Sequence, residues 1–310
     1  MKVLVTGGAG FVGSNLVRSL REQWQCRVTV LDDFFTGDRA HLDGVECEIV
    51  TGNVTDASRV RELADGCDVV FHLAARNIIA SMANPLDDMD VNVRGTYTVL
   101  QACEEAGVGR VVYTSTSSVY GNSRTLPVHE DTLPLFLNFY SVSKFAGEAY
   151  AQTFAHARRL PVNIVRYSNV FGLRQSAENP YCGVVGKFIH AALAGEDIVI
   201  HGDGEQTRDF TYVEDACAAT LRAATAEGVL GETFNIGTEI ETSVNQLAQA
   251  IVDLTGSSSA IRYVPNRDID NIRRRVLNID RANVRLGWSP AVSLRDGLAR
   301  TIDWYRSTGR

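Results

Sequence analysis

Short apolar runs alternate with amphipathic segments through the first half of the chain. Runs such as Val-Leu-Val at 3–5 and Val-Val-Phe-His-Leu at 69–73 are typical of strands that helices cover on both faces of a sheet. The pattern predicts strands at Lys2–Thr6, Arg27–Leu31, Glu46–Thr51, Val69–Leu73, Arg110–Ser115 and Val162–Tyr167. Helices are predicted between them, at Val12–Gln23, Ala57–Leu63, Leu86–Ala106 and Tyr140–His156. This alternation predicts an α/β fold built on a doubly wound parallel sheet.

The pattern loosens after about residue 168. Gly, Pro and polar residues become frequent at 172–183, 202–206 and 256–270, which favours short elements joined by loops. We therefore expect a first domain at 1–168 and a smaller, mostly helical C-terminal domain at 169–310. A helix at Thr211–Thr225 and an extended segment at Thr233–Ile236 are expected to bring residues 211–239 back to the first domain.

Composition and charge narrow the classes of function. Of the 310 residues, 45% are hydrophobic and 22% are charged, as in ordinary globular proteins. A formal net charge of −7 argues against nucleic-acid binding, which favours a basic surplus. The 6 cysteines form no C-x-x-C pair and no cluster with histidine, so we expect neither a metal site nor disulfides. Glycines interrupt the N-terminal apolar run and no window is long enough to span a bilayer, so we expect a cytoplasmic protein with no membrane partner.

A glycine-rich loop follows the first predicted strand and opens the first predicted helix. Gly7, Gly10 and Gly13 would let the backbone turn tightly and approach a pyrophosphate at the helix N-terminus. Asp32 ends the second strand, where a carboxylate can bond the adenosine ribose hydroxyls and repel a 2′-phosphate. Together these features predict a Rossmann domain that binds NAD rather than NADP. The alternative is a glycine-rich turn beside a solvated aspartate.

Tyr140 and Lys144 stand at i and i+4 near the start of a predicted helix, so their side chains project to the same side. A neighbouring ammonium favours the phenolate, so we expect the tyrosine pKa to be lowered toward a value useful for proton transfer. Thr116 follows a predicted strand whose carboxyl end faces the ligand crevice, so its hydroxyl could pass a proton to Tyr140. The alternatives are a solvent-facing Tyr–Lys pair and ordinary turn chemistry for the hydroxyls of Thr114–Ser118.

With these elements in place, the chain resembles the extended short-chain dehydrogenase/reductase family. Within that family it is similar to the NAD-dependent nucleotide-sugar epimerases of the UDP-glucose 4-epimerase type. The resemblance covers nearly the whole chain and rests on Gly7–Gly13, Asp32–Phe34, His72–Ala75, Asn92–Thr96, Tyr140–Lys144, Arg166–Gly172, Gly202–Val213 and Leu286–Trp288.

The resemblance implies a role for each matching residue. Tyr140 would be the acid/base, Lys144 would hold the nicotinamide ribose, and Thr116 would be the helper hydroxyl. Cofactor binding is implied for Gly7, Gly10, Phe11, Val12, Asp32, Asp33, Asn53, Val54, Leu73, Ala74, Ala75, Asn92, Tyr140, Lys144 and Tyr167. Substrate binding is implied for Thr116, Asn169, Val185, His201, Arg208, Asp270, Asn271 and Arg275.

Two of the implied substrate contacts have alternatives. Arg208 would clamp the diphosphate, since a guanidinium fork suits phosphate oxygens, or it could form a surface ion pair with Asp209 or Glu205. His201 stands where relatives often carry an aromatic residue near the nucleobase, but it could equally be an ordinary loop histidine.

The sequence also departs from related branches. Sugar 4,6-dehydratases follow the helper threonine with Asp-Glu, and decarboxylases need a glutamate at the second of these places; this chain has Ser117 and Ser118, which leaves simple epimerisation. Arg275 falls about where relatives carry a residue that sets the size of the sugar pocket. This cation could exclude an N-acetyl group or bind an acidic sugar, or Arg273–Arg275 could be a solvated basic run.

The resulting hypothesis is an enzyme that inverts C4 of a nucleotide-diphosphate sugar through a transient 4-keto intermediate, with NAD tightly retained. The alternatives are an NAD(P)-dependent nucleotide-sugar reductase or dehydrogenase, a C3 or C5 epimerase, and a non-catalytic dinucleotide-binding regulator.

Assembly is also implied by the resemblance. Relatives pair the helices at Leu86–Ala106 and Tyr140–His156 into an intersubunit four-helix bundle, which implies a homodimer. Apolar residues beyond the needs of one core face agree with this: Val99, Leu100, Phe145, Ala149 and Phe154. The alternative is that both helices simply pack on the sheet.

Overall fold

A computed structural model describes residues 1–175, 183–266 and 272–308. The strands in these ranges are β1 (Lys2–Thr6), β2 (Arg27–Asp32), β3 (Glu48–Thr51), β4 (Val69–His72), β5 (Arg110–Thr116), β6 (Val162–Tyr167), β7 (Asn169–Phe171), β8 (Ile198–His201), β9 (Thr207–Tyr212), β10 (Thr233–Ile236), β11 (Glu241–Ser243) and β12 (Ile261–Val264). The helices are α1 (Phe11–Trp24), α2 (Ala57–Ala64), α3 (Ile78–Ala83), α4 (Pro85–Asp88), α5 (Thr96–Glu105), α6 (Phe139–Arg158), α7 (Val184–Ala194), α8 (Val213–Thr225), α9 (Val244–Thr255), α10 (Asp280–Leu286) and α11 (Leu294–Thr308).

The centre of the molecule is a seven-stranded sheet in the order β10-β6-β5-β4-β1-β2-β3, and every neighbouring pair is parallel. Side chains alternate between its faces: Val3 and Val5 join a core with α1 and α8, whereas Leu4 joins a core with α2, α5 and α6. Apolar residues on both faces explain why the predicted strands read as continuous hydrophobic runs. The predicted doubly wound parallel sheet is confirmed.

The second half builds its own core on two small sheets. β11-β9-β7 form one sheet and β12-β8 form the other, and α7, α9 and α11 pack against them. β10 instead pairs with β6 at the edge of the large sheet, and α8 packs against α1. The chain thus leaves the large sheet after β6 and returns to it through residues 213–236.

The described second half contains more helix than strand, as expected, but the expectation did not include these two small sheets. The predicted helix at Thr211–Thr225 is wrong at its start, since Thr211 and Tyr212 belong to β9. β9 pairs with β7 and β11, and the hydroxyls of Thr211 and Ser168 are hydrogen bonded at 2.6 Å. These pairings are tertiary, so a local pattern does not reveal them.

The helix predicted over Leu86–Ala106 is present, but it is not uniformly α-helical. The structure has α4, then a π-helical segment at Met89–Gly95, then α5. Within the π segment, Asn92 accepts from the backbone N–H of Arg76 at 2.7 Å and donates to Arg76 O at 3.0 Å. Hydrophobic periodicity does not separate α from π winding, and the contacts that distinguish this segment come from another part of the fold.

Several side chains expected to be surplus to the core lie inside it. Val99, Leu100 and Phe154 pack in the core under α5 and α6, so for them the interpretation as a subunit contact is wrong. Ala149 is exposed and Phe145 is partly buried.

Within the described ranges, we find no helix with the length and apolar character to cross a membrane.

Candidate active site

The glycine-rich loop forms a cradle between β1 and α1. Gly7 has φ +71°, and a Cβ at this position would lie 2.6 Å from the backbone nitrogen of Ala74. A Cβ on Gly13 would overlap the carbonyl oxygen of Gly7. α1 starts directly after Gly10, and no side chain caps its first turn. The amides of that turn are therefore available to an anion such as a pyrophosphate.

Asp32 closes the cradle from the end of β2. Its carboxylate accepts from the backbone N–H groups of Ala9 and Phe34, each at 2.8 Å, and its side chain is buried. Burial raises the pKa of Asp32, although the two backbone hydrogen bonds oppose this shift. The two amides hold the carboxylate at the edge of the cradle.

One cleft contains nearly all of the predicted cofactor residues. It runs from the glycine loop to the start of α6, and the predicted residues in its lining are Gly7, Gly10, Phe11, Val12, Asp32, Asp33, Asn53, Val54, Leu73, Ala74, Ala75, Tyr140, Lys144 and Tyr167. The loop, the carboxylate and the Tyr–Lys pair are far apart in sequence, and the parallel sheet places them at the carboxyl ends of its strands.

Asn92 is the predicted cofactor residue that lies outside this lining. It is fully buried, and besides its two bonds to Arg76 it donates to Oδ1 of Asp88 at 2.6 Å and to Oγ of Ser143 at 3.2 Å. Asn92 therefore connects the loop after β4 with the helix that carries Tyr140.

Tyr140 lies in the first turn of α6, which Asn138 caps by accepting from the N–H of Ser141 at 2.9 Å. Burial raises the pKa of Tyr140 to about 12, while its hydrogen bond with Thr116 lowers it. The expected lowering of this pKa below the usual value is therefore wrong for the protein's own groups. The hydrogen bond does bring Thr116, the last residue of β5, to the phenol, as predicted.

Lys144 lies one helical turn further along α6 and is buried. Its Nζ sits 4.3 Å from the ring centroid of Tyr113, whose hydroxyl donates to Lys144 O at 3.1 Å. Burial lowers the pKa of Lys144 to about 7, against the raising effect of the Glu148 and Asp88 carboxylates. Burial thus acts on both members of the pair, because it disfavours the phenolate of Tyr140 and the ammonium of Lys144 alike.

A buried ion pair connects α6 to the large sheet. The guanidinium of Arg166 on β6 donates to Glu148 on α6, with Nη2–Oε2 at 2.6 Å and Nε–Oε1 at 3.0 Å. Arg166 also donates to the hydroxyl of Tyr120 at 2.7 Å, and Ser115, in the cleft lining, donates to Glu148. The network ties α6 to two central strands.

Apart from Thr116, the predicted substrate residues that the structure describes lie in the second half and outside the lining of this cleft. Asn169 begins β7, where it pairs with Phe210 of β9, and Arg208 lies on the same strand β9. His201 ends β8, and its Nδ1 is 3.1 Å from Pro265 O. Val185 is buried in the core of this half.

Arg208 and the segment that carries Arg275 lie side by side. Arg208 Nη1 donates to Ile272 O at 2.8 Å, and the N–H of Thr207 donates to Arg273 O at 2.9 Å. Arg275 is buried, whereas Arg273 and Arg274 form exposed ion pairs with Asp203 and Glu241. The basic run is therefore solvated only in its first two members. Asp270 and Asn271 lie outside the described residues.

Sequence reasoning missed several lining residues, of which Arg76 and Phe35 carry the most chemistry. Arg76 follows the motif after β4 directly, and the carboxyl end of a central strand is a signal that could have found it. Phe35 lies in the irregular segment after β2, where periodicity gives no signal.

Comparison with known proteins agrees with this geometry. The family model described as "NAD dependent epimerase/dehydratase family" matches residues 3–237. The chain is 38% identical to UDP-N-acetyl-alpha-D-glucosaminuronate decarboxylase of Bacillus cytotoxicus, over 98% of both proteins. It is 37% identical to UDP-glucose 4-epimerase of Mycolicibacterium smegmatis, over 99% of both.

Solved structures give the same result. The structure of UDP-glucose 4-epimerase with UDP-glucose from Thermotoga maritima superimposes with a TM-score of 0.95 at 34% identity, over 100% of both chains. UDP-glucose 4-epimerase of Thermus thermophilus, in complex with NAD, gives a TM-score of 0.90 at 30% identity, over 99% of both. This chain therefore belongs to the NAD-dependent epimerase/dehydratase family.

Proposed function

We propose that this protein epimerises C4 of a nucleotide-diphosphate sugar and keeps NAD tightly bound. The observation that carries the proposal is the cleft in which Tyr140 and Lys144 share one lining with the glycine loop and Asp32. Relatives and structural neighbours named as UDP-glucose 4-epimerases support the choice of reaction.

The residues of the cleft fit NAD. The uncapped first turn of α1 would hold the pyrophosphate, Asp32 would accept from the adenosine ribose hydroxyls, and Lys144 would hold the nicotinamide ribose. When bound, NAD supplies the hydride chemistry that side chains lack.

Tyr140 performs the proton transfer in this proposal. Its phenol oxygen removes the proton of the sugar 4-hydroxyl, and the Thr116 hydroxyl orients that group. With the C4 hydride held by the bound cofactor, the 4-keto sugar would turn over in the pocket. Tyr140 would then return the proton to the 4-oxygen as the hydride re-enters C4 from the opposite face. A pKa raised to about 12 means that the phenolate needs added positive charge, which a protonated Lys144 and the oxidised nicotinamide would supply.

The substrate would extend from the cleft over the second half of the chain. Arg208 would bind the diphosphate, Asn169 the phosphate or sugar, and His201 would pack near the base. Val185, Asp270, Asn271 and Arg275 complete the proposed substrate residues. The buried position of Arg275 favours a role in the sugar pocket over a solvated basic run.

Elimination and decarboxylation are less well supported, although one relative is named as a decarboxylase. Ser117 and Ser118 form a buried 3₁₀ turn directly after Thr116, and this turn carries no carboxylate. A reductase, a dehydrogenase or a C3 or C5 epimerase would use the same cleft and remains the alternative. Net NADH formation on adding substrate would indicate one of the redox alternatives.

We also propose a homodimer. Apolar side chains with exposed fractions of 41–73% lie on the outer faces of α4, the π-helical segment, α5 and α6: Leu86, Met89, Tyr97, Val142 and Tyr150. Tyr97 and Tyr150 contact each other edge to face across α5 and α6, with ring centroids 5.5 Å apart. The family resemblance implies a second subunit on this surface, which supports the proposal.

Tyr140→Phe tests the catalytic role. Loss of the proton-transfer group should reduce the turnover number by about 10²–10⁴-fold, while NAD content stays unchanged. Tyr150→Phe is the matched control, because it removes a hydroxyl from the same helix outside the cleft. Near-normal epimerisation by Tyr140→Phe would contradict the proposed role.

Identifying the substrate requires a panel of nucleotide sugars. Purified protein should be incubated with UDP-, GDP-, CDP- and dTDP-sugars, and NMR of the anomeric protons then identifies both the accepted base and the inverted carbon. We expect a C4 epimer to form with a UDP-sugar and no net change in NADH. An isomer at C3 or C5 would instead select the alternative.

A further inference from the structure

Arg76 lies where three segments around the cleft meet. Its Nη1 is 3.0 Å from Oδ2 of Asp33, and its Nε donates to Oδ2 of Asp87 at 2.5 Å. Its guanidinium carbon lies 4.0 Å from the ring centroid of Phe35. The side chain is 7% exposed, and Arg76 lines the cleft together with Asp33 and Phe35. A buried cation therefore faces the end of the cleft at which Asp32 stands.

Asp33 is held from two sides. Besides Arg76, the Nδ2 group of Asn53 donates to Oδ2 of Asp33 at 2.8 Å. Asp33 follows Asp32 directly, and both carboxylates lie in the lining at the carboxyl end of β2. Ribose hydroxyls of a dinucleotide bind at this end in Rossmann domains, so Asp33 and Arg76 are close to the position that a 2′-phosphate would take.

The charges at this position work against each other. A buried guanidinium near the adenosine ribose is the group that accommodates a 2′-phosphate in NADP-binding proteins. Here the carboxylates of Asp33 and Asp87 already engage the guanidinium of Arg76. With Asp32 included, three carboxylates surround one cation, and their surplus negative charge disfavours a further anion.

We propose that Asp33 and Arg76 form a selectivity pair, in which Asp33 occupies the guanidinium that would otherwise bind the 2′-phosphate of NADP. The cleft thus contains a cation whose Nη1 group is occupied by Asp33 from within the lining, while Asp87, outside the lining, holds its Nε group. The inference rests on the cofactor cleft of the proposed function. The selectivity pair acts in addition to the repulsion of a 2′-phosphate by Asp32. A change at Asp33 alone should therefore let NADP bind, even while Asp32 is intact.

Arg39 is another cation near this end, and it serves as the comparison. It lies 4.6 Å from the ring centroid of Phe34 and donates to Oγ1 of Thr51 at 2.6 Å. It is exposed and not among the residues that line the cleft. The geometry therefore assigns the latent phosphate contact to Arg76 and not to Arg39.

Asp33→Asn tests the pair through binding. The purified protein, stripped of nucleotide, is titrated with NADH and with NADPH, and energy transfer from tryptophan to the reduced nicotinamide reports the dissociation constants. We expect the ratio of the NADPH to the NADH dissociation constant to fall by about tenfold, the effect of freeing one charge contact. Asp33→Ser is measured in parallel, so that the test does not depend on the folding of one variant.

Two double variants test whether Arg76 causes the gain in NADPH affinity. In Asp33→Asn/Arg76→Gln the gain in NADPH affinity should disappear, whereas in Asp33→Asn/Arg39→Gln it should persist. Unchanged nucleotide selectivity in both single variants, or a gain that survives the loss of Arg76, would overturn the proposal. Failure of the unaltered protein to bind NADH would contradict the cofactor cleft itself, which separates this outcome from failure of the selectivity pair alone.

Discussion

At the scale of single residues, Lys144 is a buried cation whose charge the fold disfavours. Its pKa is about 7 in the folded protein and near 10.4 in the unfolded chain, so between these pH values the unfolded state binds the additional proton. Stability should therefore rise with pH across this window, by about 1.4 kcal/mol per pH unit. Lys144→Met removes this contribution.

The prediction is tested by melting temperatures of the two nucleotide-free proteins from pH 6 to pH 9. Lys144→Met should melt above the unaltered protein near pH 6–7, and the gap should shrink by a few degrees by pH 9. Taking the difference cancels the titration of groups that both proteins share. Parallel curves would show that the lysine is not desolvated as the structure has it.

The sequence predicts the identity of such residues better than their electrostatic state. Spacing alone puts Tyr140 and Lys144 on one side of a helix, and the structure agrees. The predicted direction of the Tyr140 pKa shift was wrong, because burial outweighs the effect of the neighbouring charge. Burial depends on tertiary packing, which the local sequence does not reveal. Arg76 was missed for a similar reason, since its partners Asp33 and Asp87 come from separate segments.

At the scale of secondary-structure elements, the Glu148–Arg166 pair joins α6 to β6. Both side chains are at least 94% buried, since their exposed fractions are 1% and 6%. Glu148→Gln leaves the Arg166 guanidinium buried beside a neutral amide, which should cost about 3–5 kcal/mol and lower the melting temperature by several degrees. Differential scanning calorimetry measures the change.

Two further proteins make that test specific. The double variant Glu148→Leu/Arg166→Met should recover most of the loss, because it removes both charges together. Glu62→Gln is the surface control: its partner Arg59 is 46% exposed, so the change should cost less than about 1 kcal/mol. If Glu148→Gln lowered the melting temperature as little as Glu62→Gln does, the buried pair would have no essential role in holding α6.

Elements with strong local patterns were predictable, and those set by long-range contacts were not. The seven strands of the large sheet include all six predicted from apolar runs, because both faces of that sheet are buried. The π-helical segment at Met89–Gly95 has no pattern of its own, and its hydrogen bonds run to Arg76 in another loop.

At the scale of the whole molecule, the first half was easier to predict than the second. Its cleft lies at the ends of consecutive parallel strands, so the order of motifs along the chain gives their arrangement in space. The second half brings Arg208 and the segment after Ile272 together through small sheets of short strands. Short strands carry little periodic signal, so the family resemblance and not the pattern had to supply those residues.

Assembly provides the last prediction. If the exposed apolar side chains of α5 and α6 bury one another in a dimer, a charge in their midst should separate the subunits. Val142→Glu places a carboxylate on α6 at a side chain that is 48% exposed, and burying it unpaired in an interface is strongly unfavourable. Light scattering coupled to gel filtration should then show one 33.9 kDa subunit for the variant and twice that mass for the unaltered protein.

The matched control is Val199→Glu, at an exposed valine on β8 in the other half of the chain, which should leave the mass of the dimer unchanged. NAD content should be the same in both variants, because neither valine lines the cofactor cleft. The comparison therefore isolates assembly from folding and cofactor binding. A dimer that survives Val142→Glu, or an unaltered protein that is already monomeric, would show that the second subunit does not sit on α5 and α6.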